Sequence, residues 1–203
     1  MLAVGPSSVA QALATGPDND AAHLQRMATP AREGPVLALV GSLSPVTRAQ
    51  VEAATGYERL DVDPMRLMDE TGYADTVRRN VLRLLPARNV MLVTERPAGQ
   101  PQQVDRVATA TARLLCAIMM EASVSRLIVA GGDTSSHAIA ALDVWGLSYR
   151  APLVPGAPIC RVHSDNPRLN GIDVILKGGQ MGSRDFFREA SNLPTGAGFS
   201  RRS

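Results

Sequence analysis

Arg126-Leu127-Ile128-Val129-Ala130-Gly131-Gly132-Asp133-Thr134-Ser135-Ser136 decides the fold. The apolar run to Ala130 has the length of a buried strand, and His137 to Leu142 follows as a helical pattern. A strand that turns through glycines into a helix presents backbone N–H groups at the helix start. Those donors, with the positive end of the helix dipole, make a seat for phosphate. Taken alone, a Gly-Gly after a strand is usually just a turn.

Outward from this stretch, strand and helix patterns alternate. Val36-Leu37-Ala38-Leu39-Val40 is a continuous apolar run, as in a strand buried on both faces. Gly41-Ser42-Leu43-Ser44 turns, Ser44 suits an N-cap, and Pro45 suits the first helical position. The helix is expected to reach Thr55, with Gly56 as its stop. Leu60-Asp61-Val62 reads as a short strand, Thr71 to Leu85 as a helix, and Asn89 to Thr94 as a strand. Pro101 to Ser123 is the longest expected helix, with Val104, Val107, Ala108, Thr111, Leu114, Leu115 and Ile118 on one face. The Pro- and Gly-rich segment from Leu147 to Gly171 predicts short edge strands and a loop. Ile172 to Leu176 is a last strand, and Ser183 is expected to cap a last helix carrying Phe186 and Phe187. The pattern predicts an α/β fold: a layered Rossmann-like domain with a largely parallel sheet flanked by helices.

The breaker-rich segment 16–35 reads as a linker, residues 2–15 as a strand end, a turn and a short helix, and 194–203 as a flexible tail. The main domain is then 36–193. The chain of 203 residues is 45% hydrophobic, enough for one buried core. Its net charge of +2 is dispersed, and only 3% of residues are aromatic. A nucleic-acid surface would want a basic block with stacking rings, so that class is set aside. Cys116 falls in a helical pattern and Cys160 in the Pro-rich segment. They form no CxxC pair and no zinc-spaced Cys/His cluster, and no metal ligands are assigned. No run reaches membrane-spanning length, and Met1 to Gly16 lacks the basic start of a signal peptide. The expectation is a soluble, cytoplasmic protein with no membrane partner; homo-oligomerisation is left open.

Ligands of open α/β sheets bind at the carboxyl ends of the strands. Three such ends carry small residues: Gly41 to Ser44, Gly131-Gly132-Asp133-Thr134, and Lys177-Gly178-Gly179. Glycine admits a phosphate or ribose without a Cβ clash, and Ser and Thr add hydroxyl donors. Asp133 suits a magnesium-bound water or a ribose hydroxyl, and equally the cap of its helix. Lys177 supplies positive charge or is simply a solvated strand end. His137, His163 and Trp145 read as ordinary packed or surface residues, with Trp145 against the core. Neither GxxxxGK[ST] nor GxGxxG occurs, which argues against a dinucleotide enzyme.

The chain resembles the C-terminal, nucleotide-binding half of the four-carbon acid sugar kinase family (3-oxo-tetronate, threonate and erythronate kinases). The resemblance rests on Val40-Gly41-Ser42-Leu43-Ser44-Pro45-Val46-Thr47 with Gln50, on Gly131 to Ser135, and on Pro155-Gly156. It continues through Leu176 to Gly182, followed by Asp185 and Phe186, and covers roughly 36–190. Val4 to Ala14 is similar to the segment that closes the family's N-terminal substrate-binding domain. Gly178 departs from a frequent Ser, and Met181 from a frequent aromatic.

The resemblance implies transfer of the γ-phosphoryl of ATP, with Mg²⁺, to the terminal hydroxyl of a four-carbon sugar acid. It implies ATP binding by Ser42, Ser44, Gly131, Gly132, Asp133, Thr134, Lys177, Gly178 and Gly179. The sugar acid and the catalytic base fall to an N-terminal domain not contained in these residues, supplied by a longer chain or a partner chain, or lost from a degenerate gene. No catalytic residue is assigned here. The alternative is a non-catalytic nucleotide-binding or interaction module.

Overall fold

A computed structural model describes residues 33–41, 44–94 and 101–192, with backbone alone for 101–104. The expected N-terminal remnant, most of the linker, Ser42, the side chain of Val104 and the C-terminal tail lie outside the described residues. In chain order the elements are β1 (Val36–Val40), α1 (Pro45–Ala53), β2 (Tyr57–Val62), α2 (Pro64–Asp69) and α3 (Tyr73–Leu84). Then come β3 (Asn89–Thr94), α4 (Pro101–Glu121), β4 (Arg126–Ala130), α5 (Gly132–Ala141), β5 (Gly146–Val154), β6 (Ala157–His163), β7 (Asp173–Lys177) and α6 (Phe186–Ser191).

The seven strands form one sheet in the order β2-β3-β1-β4-β7-β6-β5. Strands β2, β3, β1, β4 and β7 run parallel. The β5–β6 hairpin extends the sheet antiparallel to β7. Every residue of β1 and of β4 is buried, as their unbroken apolar runs require of strands covered on both faces. Alternation divides their side chains. Leu37, Leu39, Leu127 and Val129 meet Val81 of α3, Leu115 and Ile118 of α4 and Ala138 of α5. Ala38, Val40, Ile128 and Ala130 share the opposite face with Val51 of α1 and Phe186, Phe187 and Ala190 of α6. This is the layered α/β arrangement expected.

Several local expectations change. Helix α1 stops at Ala53, and Gly56 sits in the turn into β2, which begins at Tyr57. Helix α2 was not foreseen, although Asp63-Pro64 signals it. The Asp63 carboxylate accepts from the N–H groups of Met65 and Arg66, and Pro64 opens the helix. The Pro-rich stretch forms a nine-residue edge strand and puts Cys160 on β6. Pro152 is tolerated there because an edge strand can spare an N–H. Residue Asp185, not Ser183, stands at the N-cap of α6; Ser183 Oγ donates to Glu189 instead. Trp145 does not pack into the core. It is 68% exposed and lies against the His163 ring.

Candidate functional site at three strand tips

Val40, Ala130 and Lys177 stand in register across the neighbouring strands β1, β4 and β7. The next residue on each strand is glycine. Gly41 N–H donates to Ala130 O at 2.9 Å and Gly131 N–H to Lys177 O at 2.8 Å, so the ladder runs one step beyond the strands. At φ 124°, Gly131 holds a backbone conformation that side chains rarely adopt. That bend lets α5 begin at once: Gly132, Asp133 and Thr134 are its first turn rather than a loop before it. The N–H groups of a first helical turn point along the axis toward the strand tips. Gly41 is required by close approach, because a Cβ there would overlap the Thr134 hydroxyl.

Helix α1 starts one strand away. Ser44 caps it, accepting from Thr47 N–H at 3.0 Å, and Pro45 opens it. Helices α1 and α5 leave for opposite faces of the sheet. The adjacent strands β1 and β4 therefore flank a topological switch point, where open α/β sheets hold their ligands.

The segment after β7 is bound to α1. The hydroxyls of Ser44 and Thr47 both donate to Gly179 O, the second at 2.8 Å. Gln50 is fully buried, and its Nε2 lies 2.9, 3.1 and 2.7 Å from the carbonyls of Met181, Gly182 and Ser183. Lys177 is not a solvated strand end. Its ammonium turns inward, donating to Thr47 Oγ1 and Gly178 O, each at 2.9 Å, with the Phe186 ring 5.5 Å away. Burial pulls its pKa down to about 8. The turn at Gly156 reaches the same end, where Met181 lies over both Gly156 and Gly178.

The structure thus gathers Ser44, Gly131, Gly132, Asp133, Thr134, Gly178 and Gly179 at neighbouring tips, with Lys177 beneath them. Thr47 and Gln50 were quoted in the sequence motif without a task. Their spacing from Ser44, at steps of three, puts all three on one helix face and signals a shared partner. His137 pairs with Asp105 at 3.2 Å. Two cavities lie elsewhere. One of about 570 Å³ opens by Pro35, Tyr57 and Asn89 at the opposite strand ends, and one of about 560 Å³ lies between α2, α3 and α4. Among the described residues no group of three His, Cys, Asp or Glu side chains is placed to hold a metal ion.

Residues 37–187 match the family described as "Nucleotide-binding C-terminal domain". The chain belongs to the four-carbon acid sugar kinase family, of which it carries this C-terminal domain. It is 32% identical over 177 residues to a 3-oxo-isoapionate kinase of Paraburkholderia graminis, covering 75% of this chain and 37% of that protein. It is 31% identical over 190 residues to a D-threonate kinase of Cupriavidus necator, covering 89% of this chain and 44% of that protein. The chain therefore spans less than half the length of these relatives. A Haemophilus influenzae crystal structure superposes with a TM-score of 0.67 at 25% identity, over 82% of this chain and 42% of that one. A Bordetella bronchiseptica protein, crystallised with citrate as a domain-swapped dimer, shares the fold with a TM-score of 0.67 at 21% identity, over 94% of this chain and 57% of that one.

Proposed function

We propose that this chain is the ATP-binding half of a kinase that phosphorylates a four-carbon sugar acid at its terminal hydroxyl. The supporting observation is the convergence of Gly41, Gly131 and Gly178 on three adjacent strands beside the starts of α1 and α5. In this reading the first turn of α5 and the 178–179 segment hold the phosphates. Gly132 leaves them room, since a Cβ there would meet no atom within 4 Å. Ser44 anchors the rim. The chemistry supplied by bound ATP with Mg²⁺ is a transferable γ-phosphoryl group whose charge the ion offsets. Asp133, the acidic side chain on the first turn of α5, suits a water of the ion's shell. Lys177 adds positive charge from below the segment it supports.

The domain plan belongs to the same proposal: 1–15 closes a substrate-binding domain, 16–35 links, 36–193 binds nucleotide, and 194–203 forms a tail. The substrate-binding domain, on a longer chain or a partner, brings the sugar acid and the base that accepts its hydroxyl proton. Calorimetry of the chain with ADP and ATP, with and without Mg²⁺, tests the reading. Binding is expected, without phosphorylation of threonate or erythronate by these residues alone. Absence of binding under every magnesium condition overturns the assignment. Turnover by the isolated chain overturns the division of labour.

A further inference from the structure

Five carbonyls of the segment after β7 are taken up on one side. Lys177 Nζ holds that of Gly178, Ser44 and Thr47 hold that of Gly179, and Gln50 Nε2 holds those of Met181, Gly182 and Ser183. In a trans peptide the C=O of one residue and the N–H of the next point in opposite directions. Holding these carbonyls against α1 and the Lys177 ammonium therefore turns the N–H groups of Gly179, Gln180, Gly182 and Ser183 away from those donors. Among the described residues, none of these four N–H groups donates to a protein acceptor.

Gln50 shows that this arrangement is not mere packing. Its Oε1 is buried without a partner. An unpartnered buried amide oxygen is costly, and an apolar side chain of the same length would avoid the cost. What the glutamine contributes is its two N–H donors, spread over three successive carbonyls. The backbone must also accommodate this hold. Gly182 takes a φ of 85°, and a Cβ there would lie 2.7 Å from the Phe186 ring and 3.3 Å from Gln50 Nε2.

We propose that Ser44, Thr47 and Gln50 are positioning residues that present the backbone amides of Gly179, Gln180, Gly182 and Ser183 as donors to the phosphate oxygens of the nucleotide. The inference rests on the nucleotide-binding reading and extends it to residues that need not touch the ligand. A row of amides recognises phosphate charge and is indifferent to the base.

The test uses the full chain, labelled with ¹⁵N, and two probes, ADP and adenosine. The amide resonances of Gly179, Gln180 and Gly182 are expected to shift with ADP and to stay in place with adenosine. Gln50→Met is expected to weaken ADP binding about tenfold and Thr47→Val about threefold, a loss of one or two charge-assisted donors. Adenosine binding should change less than twofold in both. Unchanged ADP affinity in a folded variant overturns the proposal. An equal loss for ADP and adenosine also overturns it, because that is the signature of general loosening. If Gln50→Met fails to fold, Thr47→Val and the parent resonances decide. A parent that binds neither probe overturns the nucleotide reading itself, a separate outcome.

Discussion

Lys177 Nζ donates to Thr47 Oγ1 at 2.9 Å, joining the tip of β7 to the first turns of α1 with the lysine only 1% exposed. An ammonium ion in this position is held by neutral oxygens and a ring face. Burial lowers its pKa from 10.5 to about 8. Between those values the unfolded chain keeps a proton that the folded chain has released, so stability rises with pH across that window. Below that window the buried charge costs the fold on the order of 1–3 kcal/mol, the lower end allowing for solvent screening. Urea unfolding at pH 7.5, 9 and 10 should show this rise in the parent and a flatter profile in Lys177→Met. Parallel profiles would remove the lysine from the pH dependence.

The contact between Gly41 and Thr134 makes a second prediction. A methyl group at residue 41 would overlap the Thr134 hydroxyl and lie 3.0 Å from its Cγ2. Gly41→Ala should destabilise by about 1–3 kcal/mol through overpacking. Adding Thr134→Ala should return part of that loss, because the two changes are coupled. Thermal unfolding of both single variants and the double variant measures the coupling. Additive losses would show that the close approach is relieved elsewhere.

Gly132→Val separates fold from ligand. A Cβ at this position enters open space, and the residue opens α5 with no positive φ. Valine is a better helix former than glycine by a few tenths of a kcal/mol, so the melting temperature should move by only a few degrees. The branched side chain stands where the phosphates are proposed to lie, and ADP affinity should fall by at least about tenfold, equivalent to about 1.4 kcal/mol. Unaltered calorimetric affinity would take Gly132 out of the site.

At the opposite strand ends, Asp173 accepts from Arg126 and Arg150, with Arg126 and Asp173 both buried. Arg126 also donates to Ala190 O and so ties α6 to β4. Asp173→Asn leaves two guanidinium groups facing a neutral partner. A loss of about 3–5 kcal/mol is expected, because a broken buried pair strands its remaining charge. Chemical denaturation measures it; a loss under about 1 kcal/mol would mean that the arginines find other acceptors.

The sheet was legible because β1, β3, β4 and β7 are short apolar runs closed by glycine or polar residues, and parallel strands buried on both faces read that way. The tip residues Gly131, Gly132 and Gly178 were legible for the same reason, as small residues following those runs. Edge strand β5 was harder. Its nine residues mix Ser148, Arg150 and Pro152 with exposed Leu147 and Tyr149, so its pairing with β6 leaves no clean alternation. The inward turn of Lys177 could not be read from local sequence. Its partner Thr47 is remote in the chain, and lysine by itself favours water. Thr47 and Gln50 were visible as a spacing, but the carbonyls they hold belong to a segment that only the folded sheet brings near.

Strand β1 occupies the middle of the sheet, with Leu37 paired to Val90 on one side and Leu127 on the other. During synthesis it leaves the ribosome well before either neighbour exists. A nascent chain halted ahead of β4 holds a central strand with one flank bare, and the loop-closure entropy of both pairings falls late. The last strand to dock beside β4 is the one that carries Lys177. The row of three glycine-bearing strand tips is thus completed near the end of translation of this domain, and a ribosome stalled before Asp173 would display a hydrophobic, unclosed edge for chaperones to cover.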